Sequence, residues 1–328
     1  MSGEATVGPP MQDGARDAGR RRKPVVLLGP QRYVRSVGAV AQDFFPTGPV
    51  ATITAGWQEW EEDDEALDRD LGHRSVNLAL YQRALRVMEA DPELARAHRL
   101  MQSRIRLLAK AYRFRLGLAH KAWQTLDQAQ GEESVLGPER EAAFQLIRDL
   151  DRRQMDRVGE LRAEFGRQYS ARDTVLAHRR ELEHLVGEVE AVVIEGGHVP
   201  VLVNRLRLFD LAPLLRDRAV VACAGAAMVI SPTIVFFHDS PPQGPSIPEV
   251  AERGLGLFEG VVALPDAAGR LALDDEDRVS RLARRFAPDS CIALDGGSRI
   301  EWDGEGWTPR AAGRLTAGGR VEQWGAPA

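Results

Sequence analysis

Residues 219–239 read AVVACAGAAMVISPTIVFFHD. The apolar run has the look of a buried strand, and it stops at Cys223; Ala224-Gly225-Ala226-Ala227 follow, with nothing bulky before Met228. Small residues after a strand-terminal nucleophile have a steric purpose. A sharp strand-to-helix turn strains the nucleophile's backbone, and only small neighbours fit beside it. The helix that begins there aims its first N–H groups at the site, which favours a thiolate and a developing oxyanion. An Ala/Gly-rich turn also lets any helix pack closely on a sheet, so the pattern fits a reactive thiol and an inert buried one alike.

Outward from this stretch the chain keeps an α/β grammar. VEAVVIEGGH at 189–198 reads as a buried strand ending on Gly196-Gly197, and VPVLVNRLRLFDLAPLL after it as a helix. Near the start, Val25–Leu28 is a short apolar run stopped by Gly29-Pro30, followed by a helix-like stretch and the β-branched run VATITAGW. Strand, helix, strand opens an α/β sheet. The later runs GVVALP, CIALDG, SRIEW and RVEQW read as shorter strands between Gly, Pro and Asp turns.

Between these halves, roughly 61–188, the pattern is helical. Leu94, Met101, Ile105, Leu108, Tyr112, Leu116, Ala119, Trp123 and Leu126 recur at gaps of mainly three and four, one continuous helical stripe. Asp91-Pro92 supplies its N-cap and first position. Gly137-Pro138 is expected to start the next long helix, and Ser170 or Asp173 to cap a third. The acidic run Glu59–Asp70 reads as a solvated helix start. The expected organisation is a disordered leader over 1–23, an α/β domain at 24–60 and 189–328, and a helical hairpin or bundle inserted at 61–188. The helices should pack on each other, so that a chain lacking 70–180 folds unless they also cover an apolar sheet face.

Composition narrows the function classes. The formal net charge of −5 argues against a nucleic-acid-binding body, and the basic cluster Arg20–Lys23 reads as solvated. No apolar stretch approaches the length of a membrane span, and the N-terminus lacks the apolar region of a secretory signal. The two cysteines, Cys223 and Cys291, have no zinc-ligand spacing. The expectation is a cytoplasmic protein with no metal or cofactor, and with neither nucleic acid nor membrane as partner.

Ile194-Glu195-Gly196-Gly197, Ala222-Cys223-Ala224-Gly225-Ala226, Ser231-Pro232-Thr233-Ile234 and His238-Asp239 together resemble the aspartyl dipeptidase (peptidase E) and cyanophycinase family. GLGLFEGVVALP at 254–265 and the closing CIALDGGSRI follow its layout. The resemblance implies a class I glutamine amidotransferase-like fold, a flavodoxin-like parallel-sheet sandwich, here with a long all-helical insertion. It maps the elbow nucleophile of Gly-x-Ser-Ala-Gly onto Cys223 and the oxyanion donors onto Gly196, Gly197 and Ala224. The acid maps onto Asp239, seven residues after Pro232.

Three positions depart from the family pattern. Val221 replaces the elbow's first glycine, one extra residue separates the elbow from Pro232, and Leu264-Pro265-Asp266-Ala267 stands where the catalytic histidine belongs. A carboxylate is ordinarily a far weaker base than an imidazole near neutral pH, so the aspartate at this place does not replace the histidine. His238 or His198 could act as substitute base with Asp239, or serve as surface histidines. Glu195 could poise the thiol, or simply end its strand hydrogen-bonded.

Two readings follow. One is a Cys-dependent hydrolase or amidase acting on a small peptide or amide substrate. The other is a catalytically degenerate member that binds a protein partner, or itself, through its helices. Under the first, Cys223 should have a depressed pKa, and Gly196-Gly197 should meet it at the carboxyl ends of adjacent parallel strands.

Overall fold

The structure, a computed structural model, describes residues 23–239 and 246–325. The leader expected before Lys23 lies outside them. The chain opens with β1 (Val25–Leu28), α1 (Val37–Phe44), β2 (Val50–Ile53), a 3-10 turn (Ala55–Trp60), α2 (Glu65–Asp70) and β3 (Ser75–Asn77). Four helices follow: α3 (Leu80–Ala90), α4 (Pro92–Gln128), α5 (Glu133–Tyr169) and α6 (Asp173–Gly187). Then come β4 (Ala191–Ile194), α7 (Val199–Leu208), α8 (Ala212–Arg216), β5 (Ala219–Cys223) and α9 (Gly225–Ile230). The last part holds β6 (Thr233–Phe236), β7 (Glu249–Arg253), β8 (Val261–Pro265), α10 (Ala267–Arg270), α11 (Glu276–Phe286) and β9 (Ser290–Leu294). It closes on β10 (Arg299–Trp302), β11 (Trp307–Leu315) and β12 (Val321–Trp324).

The main sheet runs β3-β2-β4-β5-β1-β10-β11-β9-β8, with β12 on β11. Its first five strands are parallel. The sheet is parallel-rich but mixed, which departs from the expected parallel-sheet sandwich in its second half. β10 runs antiparallel to β1 and β11, and β11 antiparallel to β9 and β12, before β8 and β9 pair in parallel. The links from β10 to β11 and from β11 to β12 are too short for a crossover, so these strands must reverse direction. β6 and β7 form a separate two-stranded ribbon.

The helical segment is also not wholly helical. β3 joins the sheet beside β2, three residues that helical periodicity conceals. Asp91 does cap α4, accepting the Leu94 N–H at 2.9 Å with Pro92 in the first turn. α5 begins at Glu133, ahead of the expected start, and carries Pro138 inside its second turn. There the proline forgoes a single backbone bond near the helix start. Neither Ser170 nor Asp173 caps α6, which begins after Arg172 with no side-chain cap. Glu61, in the run expected to be solvated, is fully buried because its carboxylate accepts the Tyr81 and Gln82 N–H groups at the start of α3.

The sheet separates two cores. On one face Val26, Leu28, Val193, Val221 and Cys223 pack with α1 and α2. On the other, Leu27, Ile53, Val192 and Ala222 share one continuous cluster with Tyr112, Leu116, Trp123, Phe144 and Ile147 of α4 and α5. The long hairpin packs on itself, and α5 also packs on β7 of the separate ribbon, so that the helices and the body share one apolar cluster.

A buried polar knot fixes it there. Arg285 of α11 donates to both Asp151 carboxylate oxygens at 2.7 Å, to the Tyr112 hydroxyl at 3.0 Å and to the Pro248 carbonyl at 2.7 Å. Tyr112 donates to Asp151 at 2.7 Å and accepts the Val250 N–H at 3.1 Å. Every member is paired, as a buried network of charges must be to hold together.

Candidate functional site

β4 and β5 are parallel neighbours with Ile194 opposite Ala222, so Glu195-Gly196-Gly197 and Cys223-Ala224-Gly225 leave the sheet at the same end. The turn after β2 joins them. The His198 N–H donates to the Gly56 carbonyl at 2.8 Å and the Glu195 N–H to Ile53 at 2.9 Å. Only glycine fits here. A Cβ on Gly196 would lie 2.9 Å from the Gly225 nitrogen, and one on Gly197, whose φ is +109°, 2.5 Å from the Gly56 oxygen.

The elbow strain falls one residue later than the sequence implies. Ala224 has φ 49° and ψ −119°, a conformation an L-residue rarely holds, while Cys223 remains the last residue of β5. Ala224 is half-buried, whereas Cys223 is fully buried among Val26, Leu28 and Val37. The Ala224 N–H, expected to hold an oxyanion, donates instead to the Leu28 carbonyl at 2.9 Å and continues the ladder between β5 and β1.

The thiol's electrostatics oppose the expected activation. Burial pushes the Cys223 thiol well above its ordinary range, and the negative charge of Glu195 and a hydrogen bond to it add to the shift. Glu195 is itself raised by burial, against the lowering effects of the Cys223 hydrogen bond and Arg35. α9 does not rescue the thiolate. It is six residues long and packs into the core on the opposite sheet face. Cys291 in β9 is likewise buried, its thiol pushed up to about 12 chiefly by desolvation.

The remaining candidates have other partners. His198 caps α7, its Nδ1 accepting the Val201 N–H at 3.2 Å. His238 has a buried Nδ1 without a hydrogen-bond partner, and its carbonyl accepts from the Ser246 hydroxyl. Asp239 is gripped by the Arg278 guanidinium through both oxygens and also accepts the Ala272 N–H at 3.2 Å. Asp266 sits at φ 57° just before α10 and binds Arg270 at 3.1 Å. The structure thus gathers Glu195, Gly196, Gly197, Cys223 and Ala224 at one sheet end. Asp239 and Asp266 flank α10, each held by an arginine.

Beside the elbow a recess of about 210 Å³ is lined by Gln31, Arg35, Trp57 and Glu195. Sequence reading missed Ala224 as the strained residue, Arg278 as the partner of Asp239, and this recess. Among the described residues, no three His, Cys, Asp or Glu side chains are grouped to hold a metal ion, and no helix is long and apolar enough to cross a membrane.

No protein-family model matches the chain, and no curated protein does. Among solved structures, the crystal structure of a peptidase from an acI-B1 Actinobacterium is similar at 12% identity with a TM-score of 0.47, over 94% of this chain and 97% of that one. A putative peptidase E protein from Listeria monocytogenes EGD-e is similar at 11% identity with a TM-score of 0.42, over 90% of this chain and 100% of that one.

Proposed function

We propose that this chain is a catalytically silent relative of peptidase E-type hydrolases that works as a binding or scaffold protein through its helical hairpin. The observation that carries the reading is the strained elbow residue, which is Ala224. A methyl group cannot attack a carbonyl. Moving the family frame by one residue removes the extra residue before Pro232 and puts the small Ala222, in place of Val221, where the elbow's first glycine belongs, with Gly225-Ala226 standing for the family's Ala-Gly. Cys223 becomes the variable residue before the nucleophile position, in keeping with its burial.

The hairpin offers a surface suited to a partner. From Arg96 to Lys121, α4 carries eight Lys and Arg and no acid, in a chain whose net charge is −5. Leu100, Leu107, Phe114 and Leu118, at spacings of seven, seven and four, are 53%, 68%, 71% and 57% exposed. An apolar stripe flanked by cations complements an acidic amphipathic surface. A second copy of α4 laid against it would set cation against cation.

The rival reading, a Cys-dependent hydrolase of a peptide or amide bond, needs a thiolate that burial and Glu195 both oppose. Iodoacetamide labelling separates the two. The native chain should leave Cys223 unlabelled until denaturant is added. Rapid native labelling, together with turnover of dipeptide or amide substrates lost in Cys223→Ala, would overturn the proposal. For the hairpin, an acidic amphipathic peptide should bind in a salt-sensitive way, and Arg106→Glu with Lys110→Glu should abolish that binding.

A further inference from the structure

A cleft of about 350 Å³ lies between α4, α5, α7 and β7, and none of the elbow residues lines it. Its walls include Met101, Val158, Phe165 and Leu255, and its polar groups include His98, Arg162, Arg207 and Glu252. Pockets of this size with apolar walls and a few convergent polar groups are the usual form of small-molecule sites.

The charges inside do not balance. Arg162 donates to Glu252 at 2.6 Å and to Asn204 at 2.9 Å. Arg207 approaches the same Glu252 only at 3.6 Å and gives its Nη2 to the Arg253 and Gly254 carbonyls at 2.6 and 3.2 Å. Its Nε is buried with no hydrogen-bond partner. The other lining charges pair outward, Arg253 with Asp156 at 2.8 Å and Asp210 with Arg179 at 2.5 Å. One carboxylate therefore serves two guanidinium groups.

His98 lines the same cleft. Burial first, then the charges of Arg205, Arg162 and Arg99, push its pKa down to about 4. At neutral pH it is an uncharged imidazole in a positive field.

The space is maintained by glycine. Gly159 and Gly166 of α5, seven residues apart and so on one helix face, both line the cleft, and a Cβ on either would meet nothing within 4 Å. Glycine inside a helix costs about 1 kcal/mol relative to alanine. Packing does not demand it at these two positions. Gly117 of α4 is equally unobstructed without lining the cleft, so the glycines argue for a site only in company with the unbalanced arginines.

We propose that this cleft binds a small amphipathic monoanion, a carboxylate with an apolar body, its head at Arg207 and His98 and its body along Met101, Val158 and Phe165. A surplus of one positive charge matches a carboxylate better than a dianionic phosphate. The proposal is independent of the elbow and holds whether or not that site reacts.

Calorimetric titration of the full chain with hexanoate and 3-phenylpropionate tests it, with hexanol and acetate as controls at matched ionic strength. At least one of the two acids should saturate, with hexanol and acetate tenfold weaker or worse. Arg207→Gln should weaken binding by tenfold or more. Gly159→Leu should block it while keeping or raising Tm, because it adds a helix-favouring side chain to empty space, and this variant decides the matter if Arg207→Gln fails to fold. The His98 imidazole, followed by NMR, should titrate at higher pH when the acid is bound. Failure of both acids to saturate, equal affinity for hexanol, unaltered binding in a folded Arg207→Gln, or full binding in Gly159→Leu would overturn the proposal.

Discussion

The elbow end of the sheet and the junction between hairpin and body are built from opposite materials. The elbow is held by backbone. Gly56, Gly196 and Gly197 pack backbone to backbone, the His198 and Ala224 N–H groups donate to the Gly56 and Leu28 carbonyls, and burial disfavours the ionised form of both titratable side chains beside them, Cys223 and Glu195. The junction is held by charge, with Arg285, Asp151 and Tyr112 all buried and fully hydrogen-bonded. A hydrolase needs its polar groups at the elbow. This chain concentrates them where two parts of one molecule meet, a contrast that supports the proposed binding role.

The most severe way to break the comparison is to remove one side of it. Deleting 70–180 should leave no soluble, native-like α/β core, because α5 packs on β7 and the hairpin shares one apolar cluster with the body. A monomeric deletion product with native-like circular dichroism would show that the hairpin is modular after all.

Asp151→Ala should come next, lowering stability by about 3–5 kcal/mol in chemical denaturation, since it strands the Arg285 guanidinium in a buried site. Adding Arg285→Leu should recover part of that loss. A double variant no better than the single one would mean the knot acts through packing alone.

Acid separates the two regions by sign. His98, on α4, has a folded pKa of about 4 against an ordinary 6.5, so the unfolded chain binds more protons across that window. Stability should therefore fall as pH drops from 6.5 toward 4, by up to about 3 kcal/mol from this group. Glu195 at the elbow works the other way. Its raised pKa makes the folded form hold a proton, so its contribution is fully present below the ordinary carboxyl pKa and is lost as pH rises through the folded value. His98→Gln should flatten the acid limb and Glu195→Gln should not. Stability curves against pH for the two variants would check this.

The smallest expected effect is at the elbow itself. Ala224→Ser should change stability by no more than about 0.5 kcal/mol, because the position is half-buried and already strained. It should also leave the chain unable to hydrolyse dipeptides, since no imidazole has been placed beside the new hydroxyl. Turnover in this variant alone would show that one of the existing histidines serves as base.

What the sequence revealed follows from the range over which each signal acts. The cap at Asp91 and the α4 stripe were legible because helical order is local and periodic. The meeting of Gly196-Gly197 with the end of β5 was legible because both close short apolar runs of similar length, and parallel neighbours end together. The strained residue was not, since a shift of one position in a turn leaves composition untouched. Under the proposed reading, the extra residue before Pro232 was the sign in the sequence that the frame sits one position later. β3 was too short to register, and Glu61 was hidden because its burial depends on the later start of α3. The knot joins residues 134 and 173 positions apart, where no local pattern exists.

The strained turn at Ala224 has a consequence for descent. Its shape is kept by neighbouring glycines and by the bond from its own N–H to Leu28, so it does not depend on any reactive side chain. In the genetic code alanine and serine codons differ by a single base, and so do those of aspartate and histidine. A lineage carrying this chain therefore stands a single base from a hydroxyl in a turn already formed, and a second base, at Asp266, from an imidazole where the resembling family keeps one. The mutational distance between alanine and a nucleophile in this turn is short in both directions.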